Sequence, residues 1–267
     1  MTNILELRKS LRGEKPVPQE EDFSELEEDI NKLRKEGFSL QDIQEAIDDM
    51  NEVVDKKKAK GIAKKSFNYA EIYILRHGSM HLNSEDKVRG WLDVPLDEKG
   101  IREAHDLGKE IIAYDLDGLV SSDMTRTVQT AGAVCQEAGV PIFWVTSAFR
   151  PWNVGECSGK SGEEVAPIME EYARHKPDEP MKDGESFNEF KNRFLSGVEE
   201  VKKKFEGQKI GIITHHRGDR IFAAWEKLGM PKDYSVDLDT LFEEGVQPGE
   251  SRKEGEKINM PKDHDLS

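Results

Sequence analysis

Three short segments far apart in the chain carry the residues best suited to chemistry: Arg76-His77-Gly78, the run from Ser121 to Ala131 that contains Arg126, and Thr214-His215-His216. A guanidinium presents a planar fork of N–H donors that matches the oxygens of a phosphate. A neutral imidazole with one nitrogen tied up as a donor keeps a nucleophilic lone pair on the other. Two arginines and two histidines closing on one point would therefore make a pocket for a tetrahedral dianion, with His77 able to attack it. Taken alone, each group has a plainer reading: His77 as a hydrogen-bonded loop residue, Arg126 as half of a surface ion pair. Their position relative to the secondary structure decides between these readings.

From about residue 67 the pattern alternates strand and helix. Apolar runs over Ala70–Leu75, Gly118–Ser121, Pro141–Val145 and Gln208–Thr214 read as buried strands. Helical stretches run from Asp97 to Ala113, from Asp123 to Ala138, over 186–205 and over Gly218–Leu228. The third of these opens with a Ser186/Glu189 capping box and carries Phe187, Phe190, Phe194, Val198, Val201 and Phe205 on one stripe. This alternation predicts an α/β fold with three layers, α/β/α, around a mainly parallel sheet. Ligands of such sheets bind beyond the carboxyl ends of the strands, where Arg76, His77 and His215 all fall. Arg126 falls in the first turn of a helix, whose free N–H groups and partial positive charge suit a phosphate.

With those elements in place, the motifs resemble the histidine phosphatase superfamily, the phosphoglycerate-mutase-like fold. The resemblance rests on Arg76-His77-Gly78 followed by Asn83, on Gly90-Trp91-Leu92-Asp93-Val94-Pro95-Leu96 with Gly100, on the S-S-D-x-x-R-x-x-Q-T-A element complete at 121–131, and on the strand that ends in His215. It covers about residues 70–230 in the family's order. It implies a phosphatase in which His77 becomes a phosphohistidine while Arg76, Arg126 and His215 neutralise the phosphoryl oxygens and Asn83 adds a hydrogen bond. Arg89 and His216 are further candidates for binding substrate. The implied chemistry needs no metal or other cofactor, and Asp237, Asp239 and His264 have no ligand-like spacing. Two departures stand out. Pro151 occupies the place where the family usually has a glutamate general acid, which leaves Glu156 as the nearest candidate in sequence, with Asp93 and Asp219 as others. His215-His216-Arg217 stands where the family more often has His-Gly-Gly. A phosphoglycerate-type mutase and a phosphate-binding or scaffolding protein without turnover remain as alternatives.

The remainder of the chain frames this domain. The 267 residues carry a formal net charge of -15, which argues against nucleic acid or an anionic membrane as partner and leaves a small phosphorylated substrate or a phosphoprotein. Residues 1–66 read as a helical hairpin followed by a linker with six lysines at 56–65, able to serve homo-oligomerisation or docking to an assembly. Residues 67–249 form the expected catalytic domain and 250–267 a polar, poorly ordered tail. Cys135 and Cys157 read as free thiols, and no long apolar segment occurs, so the expected location is the cytoplasm.

Overall fold

The computed structural model describes residues 69–80, 87–242 and 248–254. The hairpin and lysine-rich linker over 1–66 and the site candidate Asn83 lie outside these residues. In chain order the regular elements are β1 (Glu71–Arg76), α1 (Glu98–Ile111), β2 (Gly118–Ser122), α2 (Thr125–Ala138), β3 (Ile142–Thr146), α3 (Gly162–His175), α4 (Phe187–Lys204), β4 (Lys209–Thr214), α5 (His216–Lys227), α6 (Leu238–Phe242) and β5 (Ser251–Lys253). The strands form one sheet in the order β3-β2-β4-β1-β5, parallel except for β5.

The period-two alternation of strand side chains divides the core between two faces. Ile72 and Ile74 of β1, Val120 of β2, and Ile210 and Ile212 of β4 pack with α3, α4 and α5. Tyr73 and Leu75 of β1, Leu119 of β2 and Ile213 of β4 point the other way, to Leu107 and Ile111 of α1 and Ala131 and Val134 of α2. The parallel strands are covered on both sides, which is why they read as continuous apolar runs rather than as alternating ones. The register sets Arg76 beside Thr214 and Ser121 beside Ile213, so the carboxyl ends of β1, β4 and β2 come out level at the middle of the sheet. His77, His215 and Ser122 are thereby brought together by the backbone alone.

Most elements fall within one or two residues of their expected positions, and the Ser186/Glu189 capping box is present in full. Two differ. α3 lies in a stretch expected to be loop. Ser161 caps it by accepting from the Glu164 amide, and Val165, Met169 and Ala173 are buried on one face, although Pro167 sits inside the helix. The expected polar tail also begins too early at 250, because Ser251–Lys253 pair antiparallel with β1. Buried ion pairs hold this strand. Arg252, 4% exposed, places Nε 2.5 Å from Asp219 and Nη1 2.6 Å from Glu226, both on α5. Replacing Arg252 with alanine would leave Asp219, itself fully buried, with a poorly compensated charge. The expected cost is about 3 kcal/mol of stability, read as a lowered midpoint in urea unfolding. A midpoint within error of the parent would mean that β5 contributes nothing to the fold.

Among the described residues, no helix is long and apolar enough to cross a membrane. Cys135 and Cys157 are both buried free thiols.

Candidate active site

His77 is the first residue past β1. Its amide donates to the Thr214 carbonyl at 3.2 Å, and its Nδ1 lies 2.7 Å from the Gly78 carbonyl oxygen. A carbonyl only accepts, so Nδ1 carries the proton and the lone pair is left on Nε2. The loop that permits this contact is packed against α1 backbone to backbone. A Cβ on Gly78 would run into the Gly100 carbonyl, and one on Gly100 into the Ser79 carbonyl. The glycines of two separate motifs thus lie where the two backbone segments touch, Gly78 required by Gly100 and Gly100 by Ser79. Asp97 closes the arrangement by capping α1, accepting from the Gly100 amide at 2.8 Å.

His215 stands opposite as the N-cap residue of α5. The rings of His77 and His215 lie with centroids 5.0 Å apart at 61°. Arg126 Nε donates to His215 Nδ1 at 3.2 Å, so the proton of His215 sits on Nε2, which faces Ser122 Oγ at 3.1 Å. The Arg126 guanidinium is further held by the carbonyls of Leu92 at 2.9 Å and Gly90 at 3.4 Å. Those carbonyls are delivered by Asp93, whose carboxylate accepts from the Thr125 amide at 2.8 Å and hydroxyl at 2.9 Å. The Gly-Trp-Leu-Asp run therefore clamps a loop onto the start of α2 and fixes Arg126. Arg76 reaches His216, with Nη1 3.4 Å from Nδ1.

These groups open onto a cavity of about 460 Å³. Arg76, His77, Lys87, Arg89, Arg126, His215, His216 and Arg217 line it, together with an apolar wall that includes Val88, Trp152 and Met169. None of the described residues that line it is a carboxylate. In a chain of net charge -15 this is a local cationic well of the kind an anionic substrate would need.

The same surroundings keep the histidines neutral. Burial pushes His77 well below the usual histidine range, and the positive charges of Arg126, Arg76 and Arg89 push it further. His215 is depressed likewise, by burial and then by Arg126. His216 is brought down to about 3 by burial, Arg76 and Arg217. Since His77 stays unprotonated, kcat/KM corrected for ionisation of the substrate is expected to show no acid limb near 6.5. An acid limb centred there would place a protonatable His77 in the free protein. Stability should move oppositely. Unfolded histidines titrate near 6.5 and take up protons that the folded state refuses, so their contribution is present above that pH and is lost as the pH falls towards 3. Melting temperatures between pH 7.5 and 5 measure it.

A family model described as histidine phosphatase superfamily (branch 1) matches residues 72–239. The chain belongs to this superfamily. It is 26% identical over 154 residues to phosphoglycerate mutase-like protein 4 of Arabidopsis thaliana, covering 55% of this chain and 67% of that protein. It is 25% identical over 144 residues to the uncharacterized phosphatase PhoE of Bacillus subtilis strain 168, covering 54% and 70%. Among solved structures, YhfR of Bacillus stearothermophilus is 28% identical with a TM-score of 0.55, covering 67% of this chain and 87% of that one. The mycobacterial glucosyl-3-phosphoglycerate phosphatase Rv2419c, in its complex with VO3, shares the fold at 19% identity and a TM-score of 0.56, over 68% and 89%. Phosphatases and mutase-like proteins both occur among these histidine phosphatase relatives.

The sequence candidates divide clearly. His77, Arg76, Arg126, His215, Arg89 and His216 share one cavity. Glu156 does not join them. It lies in a one-turn helix (Gly155–Cys157) with its carboxylate 2.6 Å from Lys182 Nζ, half exposed, and it is not among the lining residues. That geometry sets the expected general acid apart from the cavity. Asp93 and Asp219 are likewise engaged elsewhere, at the start of α2 and with Arg252. Pro151, which the sequence resemblance sets in the place of a glutamate, does line the cavity.

Sequence reasoning missed Ser122 and Arg193. Ser122 was visible in the S-S-D motif, yet nothing marked it as the partner of His215. Arg193, on α4 beside the phenylalanine stripe, donates to the carbonyls of Ser147, Ala148, Arg150 and Pro151 at 2.8–3.3 Å and pairs with Glu185 at 2.7 Å. It ties together the backbone that carries Pro151. Its signal was a cation set between Phe190 and Phe194 of the apolar stripe.

Proposed function

We propose that the protein is a phosphatase that works through a phosphohistidine on His77, without a metal ion. The supporting observation is the pair of neutral imidazoles 5.0 Å apart, with Arg126 bonded to one of them and all three at the floor of a cationic cavity. Nε2 of His77 attacks phosphorus, forming the N–P bond as the bond to the leaving oxygen breaks. Arg76, Arg126 and His215 take up the charge on the phosphoryl oxygens, which is most of what phosphoryl transfer asks of a protein. Water then attacks phosphorus, the N–P electron pair returns to His77, and phosphate leaves. Pro151 bears on the mutase alternative. A mutase must protonate and deprotonate an alkyl hydroxyl reversibly, and a proline cannot do so. The reading places the protein in a reducing cytoplasm, in keeping with two buried free thiols.

The test is hydrolysis of p-nitrophenyl phosphate in excess EDTA, with rapid acid-free quenching to trap labelled phosphate on the protein. Turnover undiminished by the chelator, with an acid-labile label mapping to His77, is the expected result. Strict dependence on a divalent ion, or interconversion of phosphoglycerates with a bisphosphate primer, would replace this reading.

A further inference from the structure

The cavity holds more positive charge than a transferred phosphoryl group requires. Arg76 and Arg126, with His215, already answer the two charges of a terminal phosphate. Lys87, Arg89 and Arg217 line the same cavity and are left over from that task. Lys87 stands where its backbone bridges to Ser161, next to Gly162 at the amino end of α3. Arg217 follows His216 in the first turn of α5 and is anchored by donating to the Leu241 carbonyl at 3.0 Å, with its guanidinium over the Phe242 ring. Arg89 lines the same cavity as His77, and its charge is among those that hold His77 below the usual histidine range. Beyond these cations lie Val88, Trp152, Val154, Ala166 and Met169, an apolar wall facing the same space. At about 460 Å³ the cavity falls in the range of pockets for small organic ligands.

A second feature concerns the leaving group. The described lining has no carboxylate, and Pro151, whose side chain has no proton to give, is part of its wall. An alkoxide expelled without a proton is a strong base and leaves slowly. A phosphate expelled from an anhydride is a weak base, with a second ionisation near about 6, and needs charge stabilisation rather than a proton. Surplus cations and a described lining without an acid are the same specification seen from two sides.

We infer that the substrate is an organic diphosphate, whose terminal phosphoryl group is taken by His77 and whose inner phosphate departs against Lys87, Arg89 and Arg217. The inference rests on the phosphatase reading above and narrows it. In the first step the His77 Nε2–P bond forms and the P–O bond of the anhydride breaks. The bridging oxygen keeps the electron pair and leaves as the anion of the organic monophosphate. In the second step a water oxygen bonds to phosphorus, the N–P pair returns to Nε2, and the water proton passes to the released phosphate and solvent. The sum is one diphosphate and one water giving one organic monophosphate and one inorganic phosphate. The apolar wall receives the organic part.

The experiment compares kcat/KM of the full chain for ADP, p-nitrophenyl phosphate and glycerol 3-phosphate. ADP is expected to exceed glycerol 3-phosphate by about 100-fold, the scale of one or two well-placed charge contacts to a developing anion. The Lys87→Ala/Arg217→Ala double variant should lower the ratio of ADP to p-nitrophenyl phosphate activity by about 10-fold or more. A ratio preserves the test even if the variant is partly unfolded, because both substrates meet the same folded fraction. Glycerol 3-phosphate turned over as well as ADP, or a ratio unmoved by the double variant, overturns the inference. Turnover of p-nitrophenyl phosphate with none of ADP also overturns it while leaving the phosphatase reading standing. Absence of both turnover and a His77 label removes the phosphatase reading itself.

Discussion

Replacing His77 with alanine is expected to lower kcat on an aryl phosphate by on the order of 10⁴-fold or more, the scale seen when a nucleophile is deleted. The acid-labile phosphoprotein should vanish with it. The effect is this large because no other described group is placed to take over. His215 is 5.0 Å away, but its Nδ1 accepts from Arg126 and its Nε2 faces Ser122. Neither nitrogen is oriented as that of His77 is, where the Gly78 carbonyl fixes the proton on Nδ1. His216 engages Arg76 through its Nδ1. The fold should survive, since β1 is secured by its own ladder to β4 and the His77 side chain makes a single backbone contact. A melting curve beside the kinetics separates the two outcomes. A variant that stays folded and keeps more than about a tenth of the activity would move the nucleophile elsewhere.

What the sequence made legible was whatever local chemistry encodes. Strand β1 ends in Arg76-His77 because a buried apolar run must stop where polar groups begin. The capping box of α4 is written within four residues. Motif glycines could be marked, though not paired: that Gly100 leaves no room for a Cβ on Gly78, and Ser79 none for one on Gly100, is a property of the folded loop. β5 was not legible, because three polar residues carry no strand signal. Its cause is the ion pair from Arg252 back to Asp219, 33 positions away. α3 was obscured by Pro167, a residue that ordinarily ends a helix, although Ser161 and the spacing of Val165, Met169 and Ala173 pointed to it. The place of Glu156 outside the cavity lining was hidden for a related reason. Proximity in sequence to the missing acid says nothing about direction, and the turn at Gly155–Cys157 sends its carboxylate to Lys182.

Arg126 offers the second large effect, and one that distinguishes chemistry from scaffolding. Its truncation to alanine should cost about 10³-fold in kcat/KM, as for removal of a preorganised donor to a developing oxyanion. Some of that loss could come from structure, since Arg126 is 2% exposed and also satisfies the carbonyls of Leu92 and Gly90. The pH profile isolates the electrostatic part. Arg126 is, after burial, the largest cause that holds both His77 and His215 below the ordinary histidine range. Without that charge both should titrate higher, so the residual activity should acquire an acid limb at a pH where the parent has none. Loss of packing alone would scale the profile down without moving it. Arg126→Lys sharpens the contrast: it retains a charge, so the limb should stay low. Lysine lacks the fork that reaches His215 and two carbonyls together, so the rate should recover only in part. If alanine and parent show superimposable normalised profiles, Arg126 holds the loop and does not act on the histidines.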